Sequence, residues 1–118
     1  MSRSVLLQLA RDSIAEVFEA QRTIDKRELL QTHPLLGEQI ASCVNLYLQN
    51  KLRGSASTQA NTISLLEAIV KNAKQAAFED MQFNPLSTSE YLDCEVEIVL
   101  YTQEETISER DPAILSHK

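Results

Sequence analysis

Apolar and polar residues alternate without a break from Leu92 to Tyr101. Leu92, Cys94, Val96, Ile98 and Leu100 fall on one side, and Asp93, Glu95, Glu97, Val99 and Tyr101 on the other. Successive side chains of an extended chain point to opposite faces, so this run predicts a strand over 92–102 with an apolar core face and a largely acidic wet face. A second run of period two spans Ile40 to Leu48: Ile40, Ser42, Val44, Leu46 and Leu48 alternate with Ala41, Cys43, Asn45 and Tyr47. Gln49-Asn50-Lys51 then supplies a turn, with Asn50 tolerating the left-handed conformation, and 52–56 returns as the second arm of a hairpin. Gly54 within that arm signals a bulge or a close backbone approach.

Elsewhere the period shifts to about 3.6. Leu6, Leu9, Ala10, Ser13, Ile14, Val17 and Phe18 form one stripe of a helix over 4–21. Leu65, Leu66, Ile69, Val70, Ala73, Ala76, Ala77 and Met81 form the stripe of a second. Its cap comes from Asn61, Thr62 or Ser64, the last with Glu67 at capping-box spacing, and its small residues suit close packing on a sheet. Asp25 with Glu28 opens a short helix that must end before His33-Pro34, and Ser87 with Glu90 opens another turn. Ser57 to Thr62 reads as a loop. The tail from Gln103 is charged, is broken at Asp111-Pro112, and carries a last apolar stretch, Ala113-Ile114-Leu115. The fold expected is therefore α+β: a short antiparallel sheet of three strands with two long amphipathic helices on one face.

At 118 residues this is one domain. Eleven Lys and Arg against seventeen Asp and Glu leave a net charge of −6, which favours solubility and opposes binding to nucleic acid or anionic membrane. The opening residues, broken by Arg11, Asp12 and Glu16, do not read as a signal peptide, so a cytoplasmic location is expected. Cys43 and Cys94 form no CxxC pair and read as buried thiols. His33 and His117 add no ligand spacing, so neither a metal nor any other cofactor is expected.

The stretches Ala41-Ser42-Cys43-Val44-Asn45-Leu46, Leu52-Arg53-Gly54, 72–80, Phe83-Asn84-Pro85-Leu86 and 92–98 come in an order and spacing that resembles the AMMECR domain family, from about Leu6 to Ile107. The resemblance implies an α+β fold with an antiparallel sheet and flanking helices, and no particular reaction. The chain departs from the family pattern in several places. Ser55-Ala56-Ser57 stands where the family continues with Cys-Ile-Gly, Asp80-Met81-Gln82-Phe83 lacks the family's arginine, and Cys43 and Asn45 replace a phenylalanine and a threonine. The family domain also continues into a C-terminal half beyond the counterpart of Ile107, so the chain resembles an N-terminal half-domain.

Arg53 beside Gly54 is the most suggestive pair, a bidentate fork next to a residue that lets a ligand approach. The plainer alternative is a relieved strand kink and a surface ion pair. Asp80, at the end of the second long helix, is badly placed against the helix dipole, which points either to a specific partner such as Arg53 or to a solvated loop residue. Ser55 lacks an adjacent base and is not expected to be a nucleophile; no catalytic residue is assigned. The acidic run Asp93, Glu95 and Glu97 reads as the wet side of a strand. Two functions follow. One is a non-catalytic module acting through protein–protein association, as a homodimer or with another protein, because the family's missing half leaves a sheet edge without a partner. Lys51 and Arg53, with the acids of the last strand, are the features that would guard such an edge. The alternative is a small-ligand binder or enzyme using a corner of Arg53, Gly54, Ser55, Asn72 and Asp80.

Overall fold

A computed structural model describes residues 5–20, 22, 24–80, 84–102 and 106–112. Helix α1 runs over Val5–Glu19 and buries Leu6, Leu9, Ala10, Ser13 and Ile14 of the expected stripe, while Phe18 is partly buried and Val17, at the helix end, is exposed at 46%. Asp25 caps α2 (Lys26–Thr32) by accepting the Glu28 N–H. That helix stops before His33, and a 3-10 turn over Pro34–Gly37 follows. The hairpin joins β1 (Ala41–Leu48) to β2 (Lys51–Thr58). Its two-residue turn is Gln49-Asn50, with φ of 54° and 66°, the left-handed pair that matches strand twist in a tight hairpin. Ser64 caps α3 (Leu65–Phe78) by accepting the Glu67 N–H. Ser87 and Glu90 form a full capping box at the head of α4 (Thr88–Asp93).

The sheet, among the described residues, has four antiparallel strands in the order β2-β1-β3-β4, where β3 is Cys94–Tyr101 and β4 is Thr106–Pro112. Val44, Leu46, Val96, Ile98 and Leu100 turn inward and share one core with the buried stripes of α1 and α3. Helix α3 lies against β1 and β2 and is flanked by α1. The α+β class and the placement of both long helices on one face of the sheet are as expected. No helix among the described residues is long and apolar enough to cross a membrane.

Beside one-residue shifts, such as Lys51 opening β2 instead of closing the turn, four larger differences from expectation stand out. The last expected strand begins at Cys94 rather than Leu92, because the Ser87 cap carries helix through Asp93; Leu92 is exposed at 57% instead of facing the core. Strand β2 extends to Thr58, taking in the start of the expected loop, since Ser57 and Thr58 pair with Cys43 and Ser42. Helix α3 ends at Phe78. Its expected last residue, Met81, lies outside the described residues, as do Phe83 and the stretch Ala113-Ile114-Leu115. The fourth difference is β4. Within the charged tail, Thr106 to Pro112 pairs in register with Tyr101 to Glu95 and covers the outer edge of β3, so the strand runs through the expected break at Asp111-Pro112.

Candidate functional site

The hairpin carries a bulge at the position its glycine suggested. Leu46 pairs with Gly54 and Tyr47 with Leu52, so Arg53 is the extra residue on β2. Extra residues of this kind re-aim a side chain, and here the Arg53 side chain reaches α4. Its Nε donates to Glu90 Oε2 at 3.1 Å and its Nη2 to Glu90 Oε1 at 3.0 Å, while Nη2 also donates to the Asn84 carbonyl at 2.7 Å. Gly54, facing inward, lets α3 approach closely: a Cβ there would lie 2.0 Å from the Ala76 carbonyl oxygen.

Asp80 finds its partner at the same corner. Its Oδ2 accepts the Ser55 backbone N–H at 3.0 Å. The end of α3 thus curls round β2 and occupies one of the edge donors that another strand would otherwise take. Ser55 Oγ donates to Asn45 Oδ1 at 2.6 Å, and Asn45 Nδ2 donates to Glu97 Oε1 at 2.9 Å. Tyr47 donates its hydroxyl to the same Glu97 oxygen at 2.8 Å, and the Arg110 guanidinium sits 4.1 Å from the centre of the Tyr47 ring. This side-chain lattice spans the sheet face that carries no helix among the described residues.

The five expected site residues are therefore only partly assembled. Arg53, Gly54, Ser55 and Asp80 meet at one corner. Asn72 is fully buried in α3, where its Oδ1 accepts the Thr58 hydroxyl at 3.1 Å. An open groove of about 260 Å³ beside the corner is lined by Ser55, Ala56, Ser57, Gln75, Glu79 and Asp80; neither Arg53 nor Asn72 lines it. Glu90 is the residue that sequence reasoning missed. Its signal was visible in the capping-box spacing with Ser87, but nothing in a linear chain ties that box to a bulged arginine.

Neither thiol is poised for chemistry. Burial chiefly raises the pKa of Cys43, against its side-chain hydrogen bonds with Ser55 and Asn45, and pushes Cys94 up to about 11. A thiol in this state holds its proton at neutral pH and is a poor nucleophile.

A sequence profile of the AMMECR1 family matches residues 7–117. The chain belongs to the AMMECR1 family. A curated relative from Saccharolobus solfataricus is 31% identical over 112 residues that cover 91% of this chain and 48% of the relative. Another, from Thermococcus onnurineus, is 35% identical over 107 residues, covering 86% of this chain and 51% of the relative. The crystal structure of an uncharacterized protein from Pyrococcus horikoshii superposes with a TM-score of 0.71 at 29% identity, over 80% of this chain and 48% of that one. The chain spans about half the length of the AMMECR1 relatives it matches.

The Arg53–Glu90 clamp should make this corner sensitive to acid. The Arg53 guanidinium first, and the Ser87 amide next, lower the Glu90 carboxyl from an ordinary value of 4.5 to about 2. A carboxyl whose pKa is lower in the folded state contributes stability that is complete above its unfolded pKa and is lost as pH falls through the folded one. Acid unfolding between about pH 4.5 and 2 should therefore be shallower in Glu90→Gln than in the parent. Glu90→Gln should also cost about 1 kcal/mol at neutral pH, for a bidentate but partly solvated pair. Denaturation midpoints measured across that pH range check it, and parallel curves for the two proteins would refute it.

Proposed function

We propose that this AMMECR1 domain is a cytoplasmic module that works by association with a polypeptide rather than by catalysis, and that its first partner is a second copy of itself. The observation that carries this reading is how the corner's polar groups are employed. The Arg53 fork holds Glu90 and the Asn84 carbonyl, Asp80 holds the Ser55 amide, and Asn72 is sealed in the core. Groups spent on the fold's own backbone and loops are poorly placed to bind and turn over a substrate. The likeness to relatives twice as long also supports a domain that meets further polypeptide.

Strand β4 suits this role. It pairs on one side with β3, and its Ile107 is exposed at 41%. An edge strand offers a row of N–H and C=O groups to another strand, and two-fold pairing is the commonest way for identical chains to use one. Light scattering from about 10 µM to about 1 mM chain should show the mass rising to that of a dimer. Ile107→Lys should weaken the dimer about tenfold or more, since a lysine on an edge opposes strand addition. A monomer across the whole range overturns the proposal.

A small-ligand reading keeps one observation in its favour, the groove beside Ser55 and Asp80. Its two acids, Glu79 and Asp80, with hydroxyls from Ser55 and Ser57, would suit a cationic compound. Saturable binding of such a compound, lost in Glu79→Gln, would favour that reading over association.

A further inference from the structure

A larger cleft, of about 590 Å³, opens between α1, α3 and the segment that joins α1 to α2. It is separate from the Arg53 corner. Three cations line it, Arg22, Lys26 and Lys74, and Ile24 and Val70 give it an apolar wall. Its two carboxylates are committed to structure. Glu16, whose side chain is 9% exposed, accepts the Ile24 N–H at 3.0 Å and Lys74 Nζ at 3.2 Å. Asp25 accepts the Glu28 N–H as the cap of α2. Glu16 thus fixes the joining segment and Lys74 on opposite walls of one opening.

The result is an excess of donors. The Lys74 ammonium carries three N–H bonds and is 37% exposed, so it reaches solvent as well as Glu16. Lys26 is shared with Glu67 in an exposed pair, which competes weakly with a ligand. Arg22 is exposed, and its guanidinium presents a planar fork suited to phosphate or carboxylate. Three cations against two carboxylates leave the lining a net charge of +1, on a chain of net charge −6. Sites for small molecules are clefts of this size with an apolar wall and a few convergent polar groups.

We propose that this cleft binds a small organic polyanion. Its phosphate or carboxylate oxygens rest on Arg22, Lys26 and Lys74, and its carbon part lies against Ile24 and Val70. The Ile24 amide, tied to Glu16 at the wall, is a built-in reporter.

Amide NMR titration of the whole chain with pyrophosphate, and separately with citrate, tests the site. Sodium chloride at matched ionic strength is the control, because generic screening moves exposed charges without saturating. The Ile24 and Lys74 amides should shift saturably, with a dissociation constant of about 1 mM or tighter for at least one probe. Preference for pyrophosphate assigns the site to phosphates, and preference for citrate assigns it to carboxylates. Arg22→Gln and Lys26→Gln together should weaken binding about tenfold or more while leaving the remaining amides in place, since both residues are exposed. Three results would each overturn the proposal: no saturation at about 10 mM of either probe, shifts that follow sodium chloride, or a double variant that titrates like the parent.

Discussion

Gly54→Ala should destabilise the domain by about 3 kcal/mol or more, one of the largest losses available to a single methyl group here. The added Cβ would fall 2.0 Å from the Ala76 carbonyl oxygen and 2.9 Å from its carbon. Both are helix backbone, so no side chain can swing aside. Relief requires α3 to move off β2, and α3 packs on β1 and α1 as well. The glycine is needed for space and not for conformation, because its φ is not in the left-handed region. Gly37→Ala is the matched control. There a Cβ would meet only Leu30 Cδ2 at 3.8 Å, an ordinary contact, and stability should change by less than about 0.5 kcal/mol. Urea midpoints of the two variants give the comparison, and equal midpoints would show that the close approach of α3 to β2 is absent in solution.

Ile69→Ala should cost about 3 kcal/mol, within the usual spread for emptying a fully buried aliphatic site. Ile69 has no exposed surface and belongs to the core cluster formed by α1, α3 and the sheet. Helix and sheet close on it from two sides, so the surroundings have little room to collapse into the space. Ile69→Val, which removes one methylene, should cost about 1 kcal/mol. A calorimetric series of the parent and the two variants reads this directly. An alanine variant as stable as the valine one would mean that α3 does not sit at the centre of the core.

Period made most of this architecture readable. Two runs of period two became β1 and β3, two stripes near 3.6 became α1 and α3, and all three capping spacings, Asp25 with Glu28, Ser64 with Glu67 and Ser87 with Glu90, became caps. Strand β4 was hidden for a physical reason. In Thr106–Pro112 only Ile107 is strongly apolar, so the segment has no apolar face of its own, and its extended form comes from pairing with β3. Gly54 announced both the bulge and the close approach. The partner of Arg53 stayed out of reach because it depends on the direction the bulge gives the side chain and on where α4 begins. Asp80 did answer to a specific partner, as its position against the helix dipole suggested, but that partner includes a backbone amide, which no residue pattern reveals.

The order β2-β1-β3-β4 also sets a timetable for synthesis. Strand β1 meets β2 across a two-residue turn, so the hairpin can close as soon as Lys51 to Thr58 leave the ribosome. Its other edge must wait much longer. Leu48 pairs with Cys94 and Ala41 with Tyr101, so α3 and α4 must both be made before β3 arrives. Contacts between distant parts of a chain form late, because loop closure precedes any gain from them. Through that interval the nascent hairpin presents Val44 and Leu46, later fully buried in the core, on a strand with one edge unpaired. The vulnerable moment in this protein's life is thus the interval between completing β2 and releasing Tyr101, when chaperones have most to protect.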